Sequence, residues 1–175
     1  MAEAPPTLPE THQRAQADAR QLAHTLSRIQ RDARKLMWHD ERPWTTDSHV
    51  WFEGPLPVVD LHDLSVKLAT RAVEKAWKLK LNSGAVCFIT GVGNNSIGPP
   101  KLKEAVGGKL ASACASREGW SFRADGPGRY VLITDAERAA EEIQSSLPRG
   151  FWILVAIIAA AIAFAFLRDV LRVIF

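Results

Sequence analysis

Cysteine, methionine and tyrosine are scarce in this 175-residue chain, at two, two and one. The two cysteines, Cys87 and Cys114, form no Cys-x-x-Cys pair. A disulfide stays open between them, and reduced packing residues in a cytoplasmic protein are the expectation. His12, His24, His39 and His49 show no metal-ligand spacing, so no zinc site and no metal ligand is expected. No glycine loop ends in Gly-Lys-Ser/Thr, which excludes a P-loop. No apolar run opens the chain, where Pro5, Pro6 and Pro9 stand instead, so no secretory leader is expected. Charge is missing altogether from 151–167.

A chain of this length builds one modest domain with appendages and not two full cores. The net charge is +3, and residues 57–134 carry eleven Lys and Arg against six Asp and Glu, so the excess of base concentrates there. Residues 1–10 read as a disordered lead. Over 11–41 an apolar seam of Ala15, Ala19, Leu22, Leu26, Ile29, Ala33 and Leu36 predicts an amphipathic helical arm. That seam suits either packing on the neighbouring domain or self-association with a second copy or a protein partner. Arg28, Arg31, Arg34 and Lys35 near its end are a solvated face or a phosphate contact. Residues 42–56 combine Pro43, Gly54 and Pro55 with Trp44, Trp51 and Phe52, and read with Trp38 as an aromatic strap against the domain.

The central domain, 57–134, is organised around Val58-Val59-Asp60-Leu61-His62 and its echo at 89–96. Each is a short apolar run ending in polar or glycine-rich residues and followed by a helical pattern, over 65–81 and from 101 onward. The unalternating run 85–90 suits a buried parallel strand. Two further runs, 120–124 and 129–134, flank the turn Asp125-Gly126-Pro127-Gly128 and predict a closing hairpin. The fold class expected is therefore α/β, a small βαβαββ domain of four strands with helices on at least one face. Gly107-Gly108 inside the second helix suggest a close approach of something to its side.

Parallel strands end at one edge, and open α/β sheets bind ligands beyond that edge. Asp60 and His62 are two apart and fall on one face there. A carboxylate and an imidazole so placed suit phosphodiester cleavage, the imidazole as base and the carboxylate orienting it or holding a metal. They equally suit a local cap and a packed neutral ring. The loop Thr90, Gly91, Gly93, Asn94, Asn95 and Ser96 turns backbone N–H groups toward one point ahead of a helix, which makes an anion cradle. Its two glycines lack the third that a dinucleotide site requires. Lys67, Arg71, Lys75 and Lys78 form a basic stripe on the first helix, and Lys101 opens the second.

A strand ending in Asp-Leu-His, a helix, a strand ending in Thr-Gly-x-Gly-Asn-x-Ser and then Leu102-Lys103-x-Ala105-Val106 resembles the Smr (small MutS-related) domain, over about 57–134. The resemblance implies a fold related to the C-terminal domain of translation initiation factor three. It implies binding of RNA or DNA and, in several members, nicking. Two positions depart from the family pattern: Asp63 stands where a glycine usually follows Asp-Leu-His, and Asn95 where a histidine is common. Asp63 adds a negative charge where a phosphate approaches, and Asn95 removes a proton carrier, so both weigh against cleavage more than binding.

Residues 135–150 read as an acidic juxtamembrane helix and linker, with Glu137, Glu141 and Glu142. The seventeen uncharged residues 151–167 rise about 26 Å as a helix, and continuation to Phe175 spans a bilayer. Together these readings predict a membrane-tethered endonuclease acting on RNA or DNA, its domain in the cytoplasm and 151–175 a single-pass C-terminal anchor. Asp60 and His62 carry the chemistry, Thr90, Gly91, Gly93, Asn94, Asn95 and Ser96 hold a phosphate, and Lys67, Arg71, Lys78 and Lys101 add charge. No cofactor is fixed, and a divalent cation such as magnesium is the candidate. The alternatives are a Smr-like module that binds without cutting, and a structural subunit of a membrane complex.

Overall fold

A computed structural model describes residues 8–35, 43–92 and 101–136 of the chain. The expected acidic helix beyond 136, the anchor 151–175, Trp38 and the loop residues Gly93, Asn94, Asn95 and Ser96 lie outside the described residues. No helix among the described residues is long and apolar enough to cross a membrane.

The fold is mixed α/β, an N-terminal helix and a five-stranded sheet. In chain order the elements are α1 (Leu8–Arg34), α2 (Thr46–His49), β1 (Val50–Glu53), β2 (Leu56–Asp60), α3 (Val66–Ala76), β3 (Ala85–Ile89), α4 (Lys101–Ala115), β4 (Ser121–Ala124) and β5 (Arg129–Ile133). The strands lie in the order β1-β2-β3-β5-β4. Only β2 and β3 are parallel, in register from Val58 opposite Cys87 to Asp60 opposite Ile89. Their carboxyl ends therefore share one edge, and Leu61 N–H extends the ladder to the Ile89 carbonyl at 2.7 Å.

The fifth strand is β1, in the stretch expected to be an irregular strap. Val50-Trp51-Phe52-Glu53 is β-branched and aromatic, and Gly54 takes φ 57° to turn the chain back into β2. Pro57 is tolerated because the pairing of β2 with β3 begins only at Val58. Helix α1 likewise begins inside the expected disordered lead, at Leu8. The two cysteines are free, Cys87 buried in β3 and Cys114 half-buried on α4.

One main core joins the helices to one face of the sheet. Leu22, Leu26, Ile29 and Ala33 of α1 and Trp44 pack with Val59, Leu61, Leu68, Val73, Phe88 and Leu110. The seam of α1 is thus buried within the chain, and only the polar face of that helix is open to a partner. The opposite sheet face carries Val58, Ala85, Cys87 and Val131, each at most 1 % exposed. On α4, a Cβ at Gly107 would stand 3.2 Å from the Tyr130 hydroxyl, which identifies the close approach expected there.

Polar contacts fix where α1 lies. In its first half the buried Asp18 carboxylate accepts from Asn82 N–H at 2.9 Å, Asn82 Nδ2 at 2.9 Å and Ser83 N–H at 2.8 Å, beyond the end of α3. Near its other end Gln30 Oε1 accepts from Thr46 N–H and the Thr46 hydroxyl, both at 3.0 Å, and Asp32 meets Arg71 at 3.5 Å. So α1 runs antiparallel to α3, and its C-terminal end reaches the edge where β2 and β3 finish. Replacing Asp18 by Ala leaves two backbone N–H groups without their acceptor. It should cost about 3 kcal/mol, which thermal unfolding of the full chain reads as a melting point roughly 10 °C lower. A loss below about 1 kcal/mol would show that this carboxylate does not hold α1 in place.

Candidate functional site

The site stands at the end of β2. There Asp60 points its carboxylate along the chain rather than into solvent, with its side chain 14 % exposed. Its Oδ1 accepts from the His62 backbone N–H at 3.1 Å, an Asx-type turn that ends the strand. The same oxygen lies 2.7 Å from His62 Nδ1. A carboxylate only accepts, so Nδ1 carries the proton and the ring is held with Nε2 outward. Asp60 is both the local cap and the partner of the imidazole. Its carbonyl, in turn, takes a 2.7 Å bond from Trp44 Nε1, and Trp44 is fully buried.

Asp63 follows directly. Among the described residues only glycines have positive φ, so the chain accommodates a side chain at 63 without strain. Asp63 Oδ1 is 3.1 Å from His62 Nε2 and Asp63 Oδ2 is 3.1 Å from His49 Nε2. Both imidazoles thus face one carboxylate, and their ring centroids are 5.8 Å apart. His49 ends α2, packs 5.4 Å from Trp44 by ring centroid, and has the Thr45 carbonyl 3.0 Å from its Nδ1.

His49 is the residue that sequence reasoning missed. It lies thirteen positions before His62, in a stretch without a metal or catalytic motif, and the β1–β2 hairpin folds it back onto the strand end. The one available signal was the hairpin itself. Val50 pairs with Val59, which puts the residue before Val50 beside the residues just after Val59.

The glycine loop is braced from the other side. Gly91 has φ 71°, and a Cβ there would lie 3.5 Å from the His62 Cβ, so loop and imidazole are neighbours. Gly128 of the β4–β5 turn has φ 69°, and a Cβ there would meet the Gly91 carbonyl oxygen at 2.3 Å, which no side chain can do. Thr90, 5 % exposed, gives its N–H to the Gly128 carbonyl at 2.7 Å and its hydroxyl to the same oxygen at 3.1 Å. Both bonds tie the start of the loop to the hairpin.

The basic residues divide into two places. Lys67 is exposed on the first turns of α3, next to the corner. Arg71 pairs with Asp32, which also lines a groove at the end of α1 with Arg28, Arg31, Arg34 and Lys35. Lys78 is exposed beyond the far end of α3 and is not brought to the corner. Glu74 interrupts the stripe; its ion pair with Lys109 of α4 holds its carboxyl below the usual range. Lys101 is exposed at the start of α4.

No family model, curated protein or solved structure matches the chain.

Burial acts to lower the His62 pKa, and the Asp60 hydrogen bond together with the charges of Asp60 and Asp63 more than offsets it, so the ring titrates above its ordinary value. A folded-state value above the unfolded one means that the stabilisation is complete below pH 6.5 and fades as the pH rises through the raised value. Ring-proton NMR of the metal-free chain should show a His62 midpoint above 6.5 that Asp60→Asn moves down. A midpoint at or below 6.5 in the unaltered chain would mean that the two carboxylates do not act on this ring in solution.

Proposed function

We propose that the chain is a Smr-like, membrane-tethered endonuclease that cuts phosphodiester bonds in RNA or DNA. The observation that supports it most is the Asp60–His62 pair, hydrogen-bonded at 2.7 Å at the edge where the two parallel strands end. The strand, helix, strand, helix, hairpin order of β2, α3, β3, α4, β4 and β5 is the βαβαββ plan that the resemblance implies, here extended by α1, α2 and β1. Two groups of cations could guide nucleic acid to this edge: Lys67, exposed at the start of α3, and Arg28, Arg31, Arg34 and Lys35, which line a groove at the end of α1. A nucleic-acid backbone laid there would bring a phosphodiester to His62, with the loop after β3 on its other side.

In the chemistry, Asp60 fixes the ring and stabilises its charged form. A water or a neighbouring ribose hydroxyl attacks the phosphorus, the P–O bond to the leaving oxygen breaks, and the imidazolium gives that oxygen its proton; a divalent cation such as magnesium, if bound, would supply charge to the phosphate. Residues 151–175 tether the domain to a membrane from its cytoplasmic side, where nucleic acid is found. A second reading is favoured by one specific contact. Asp63 stands on His62 Nε2 at 3.1 Å, the side from which a phosphate must come, and a chain so guarded binds nucleic acid without cutting it.

Two measurements test this. Asp60→Asn keeps an oxygen for the His62 N–H and removes the charge. Nicking of single-stranded RNA by the detergent-solubilised full chain with divalent cation should fall by at least about 100-fold, while the melting point barely moves. Activity within about threefold of the unaltered chain would reject Asp60 as part of the chemistry, and no cleavage by the unaltered chain would leave the binding-only reading. For binding, Lys67→Gln with Arg71→Gln should lower the salt-dependence slope by about one to two units. Lys78→Gln, at the far end of α3, should leave it nearly as it was. An equal response to both would place nucleic acid along the whole helix rather than at the corner.

A further inference from the structure

We propose that His49, His62 and Asp63 form a binding site for a single transition-metal ion, zinc or cobalt in preference to magnesium. One donor atom from each lies within 4.8 Å of the others. Ligands about 2 Å from a tetrahedral ion stand roughly 3.3 Å apart. Each Nε2 already has an Asp63 oxygen at 3.1 Å, His49 the Oδ2 and His62 the Oδ1. Small rotations of the exposed Asp63 carboxylate and His62 ring would bring one oxygen and both nitrogens to a common ion, with His49, 12 % exposed, staying where it packs.

The groups behind the donors are those that metal-bound histidines use. A ligating imidazole commonly gives its other N–H to a carboxylate or a backbone carbonyl, which fixes the tautomer and aims the free nitrogen at the metal. His62 has Asp60 Oδ1 at 2.7 Å from Nδ1, and His49 Nδ1 lies 2.8 Å from the Ser48 hydroxyl, 3.0 Å from the Thr45 carbonyl and 3.3 Å from the Thr45 N–H, so its inner nitrogen is engaged by the α2 turn and Nε2 is left toward Asp63. Trp44, fully buried, packs on His49 and bonds the Asp60 carbonyl, so one buried residue braces His49 directly and His62 through Asp60.

Electrostatics points the same way. His62 has a carboxylate on each ring nitrogen, Asp60 on one and Asp63 on the other. Neither can donate, so the arrangement calls for positive charge between them, a proton or a metal cation. A site with two nitrogen donors and one oxygen donor suits zinc, cobalt or manganese, whereas magnesium takes oxygen donors. Three protein ligands leave a position for water, as in hydrolytic rather than structural zinc sites. A metal held there would take His62 as a ligand and would supply an acidic bound water in place of the ring proton. Asp63, where the Smr pattern has glycine, would then be a ligand rather than an obstacle.

The inference does not depend on nuclease activity, and its test contains no nucleic acid. The full chain, purified with a chelator that is then removed, is titrated with zinc against a chromophoric competitor, and separately with cobalt to read its visible absorption. One equivalent should bind. Asp63→Ala and His49→Gln should each weaken binding at least tenfold, and Asp60→Asn by about tenfold through the loss of its hold on His62. His12→Gln should change nothing. Asp63 is 45 % exposed, so its replacement leaves folding intact and decides the matter even if His49→Gln unfolds. No zinc binding by the unaltered chain, or a loss of less than tenfold in Asp63→Ala, would overturn the site.

Discussion

A carboxylate accepts hydrogen bonds and gives none, and the corner of this protein depends on that constraint. His62 is held between two such groups, Asp60 at 2.7 Å and Asp63 at 3.1 Å. Without positive charge between them the cluster repels itself. Everything nearby keeps the groups together all the same. The Asx turn at Asp60 fixes the ring, Trp44 fixes Asp60, and the β1–β2 hairpin delivers His49 to the other oxygen of Asp63. The result is a charged site built from rigid parts, with a cation as the natural complement. Its position beyond the parallel strand ends is where an α/β sheet presents its ligands.

The scaffold explains why so short a parallel pair suffices. Two strands of five residues do not make a stable crevice alone. Here α1 lies along α3 and fills the core, tied by Asp18 in its first half and by Gln30 in its last turns. On the opposite side the hairpin turn reaches back to the loop, where Gly128 admits the Gly91 carbonyl and Thr90 closes the contact. The corner is therefore clamped from both sides, by the helix-and-strand segment before it and by the hairpin after it. Because α1 runs antiparallel to α3, its basic C-terminal turns lie toward the end of α3 that follows the corner.

Much of this was legible in the residues. Short apolar runs located β2 and β3, the turn Asp125-Gly126-Pro127-Gly128 located β4 and β5, helical patterning located α1, α3 and α4, and strand-end polarity put Asp60 and His62 at one edge. What failed to show had physical causes. In 42–56 two prolines and a glycine masked a strand, because punctuation that usually means irregular chain here makes one tight hairpin and a strand start. His49 was invisible because its partners come from pairing across that hairpin and not from spacing along the chain. Asp63 read only as a misplaced charge, since its two imidazole neighbours exist only after folding. The Thr90 bond to the Gly128 carbonyl left no trace either, since it is a tertiary contact across 38 positions. Lys78 shares a helical stripe with Lys67 but not an end of the helix, a distinction that periodicity cannot make.

The most direct test of the account is where a nucleic-acid phosphate sits when the full chain is crystallised with cobalt and a short single strand carrying a non-cleavable linkage. The account predicts one phosphate at the corner, against His62 and beside Gly91, with metal density between His49, His62 and Asp63 and the flanking backbone crossing Lys67 toward the end of α1. A strand bound elsewhere on the surface, with the corner holding neither phosphate nor metal, would contradict it.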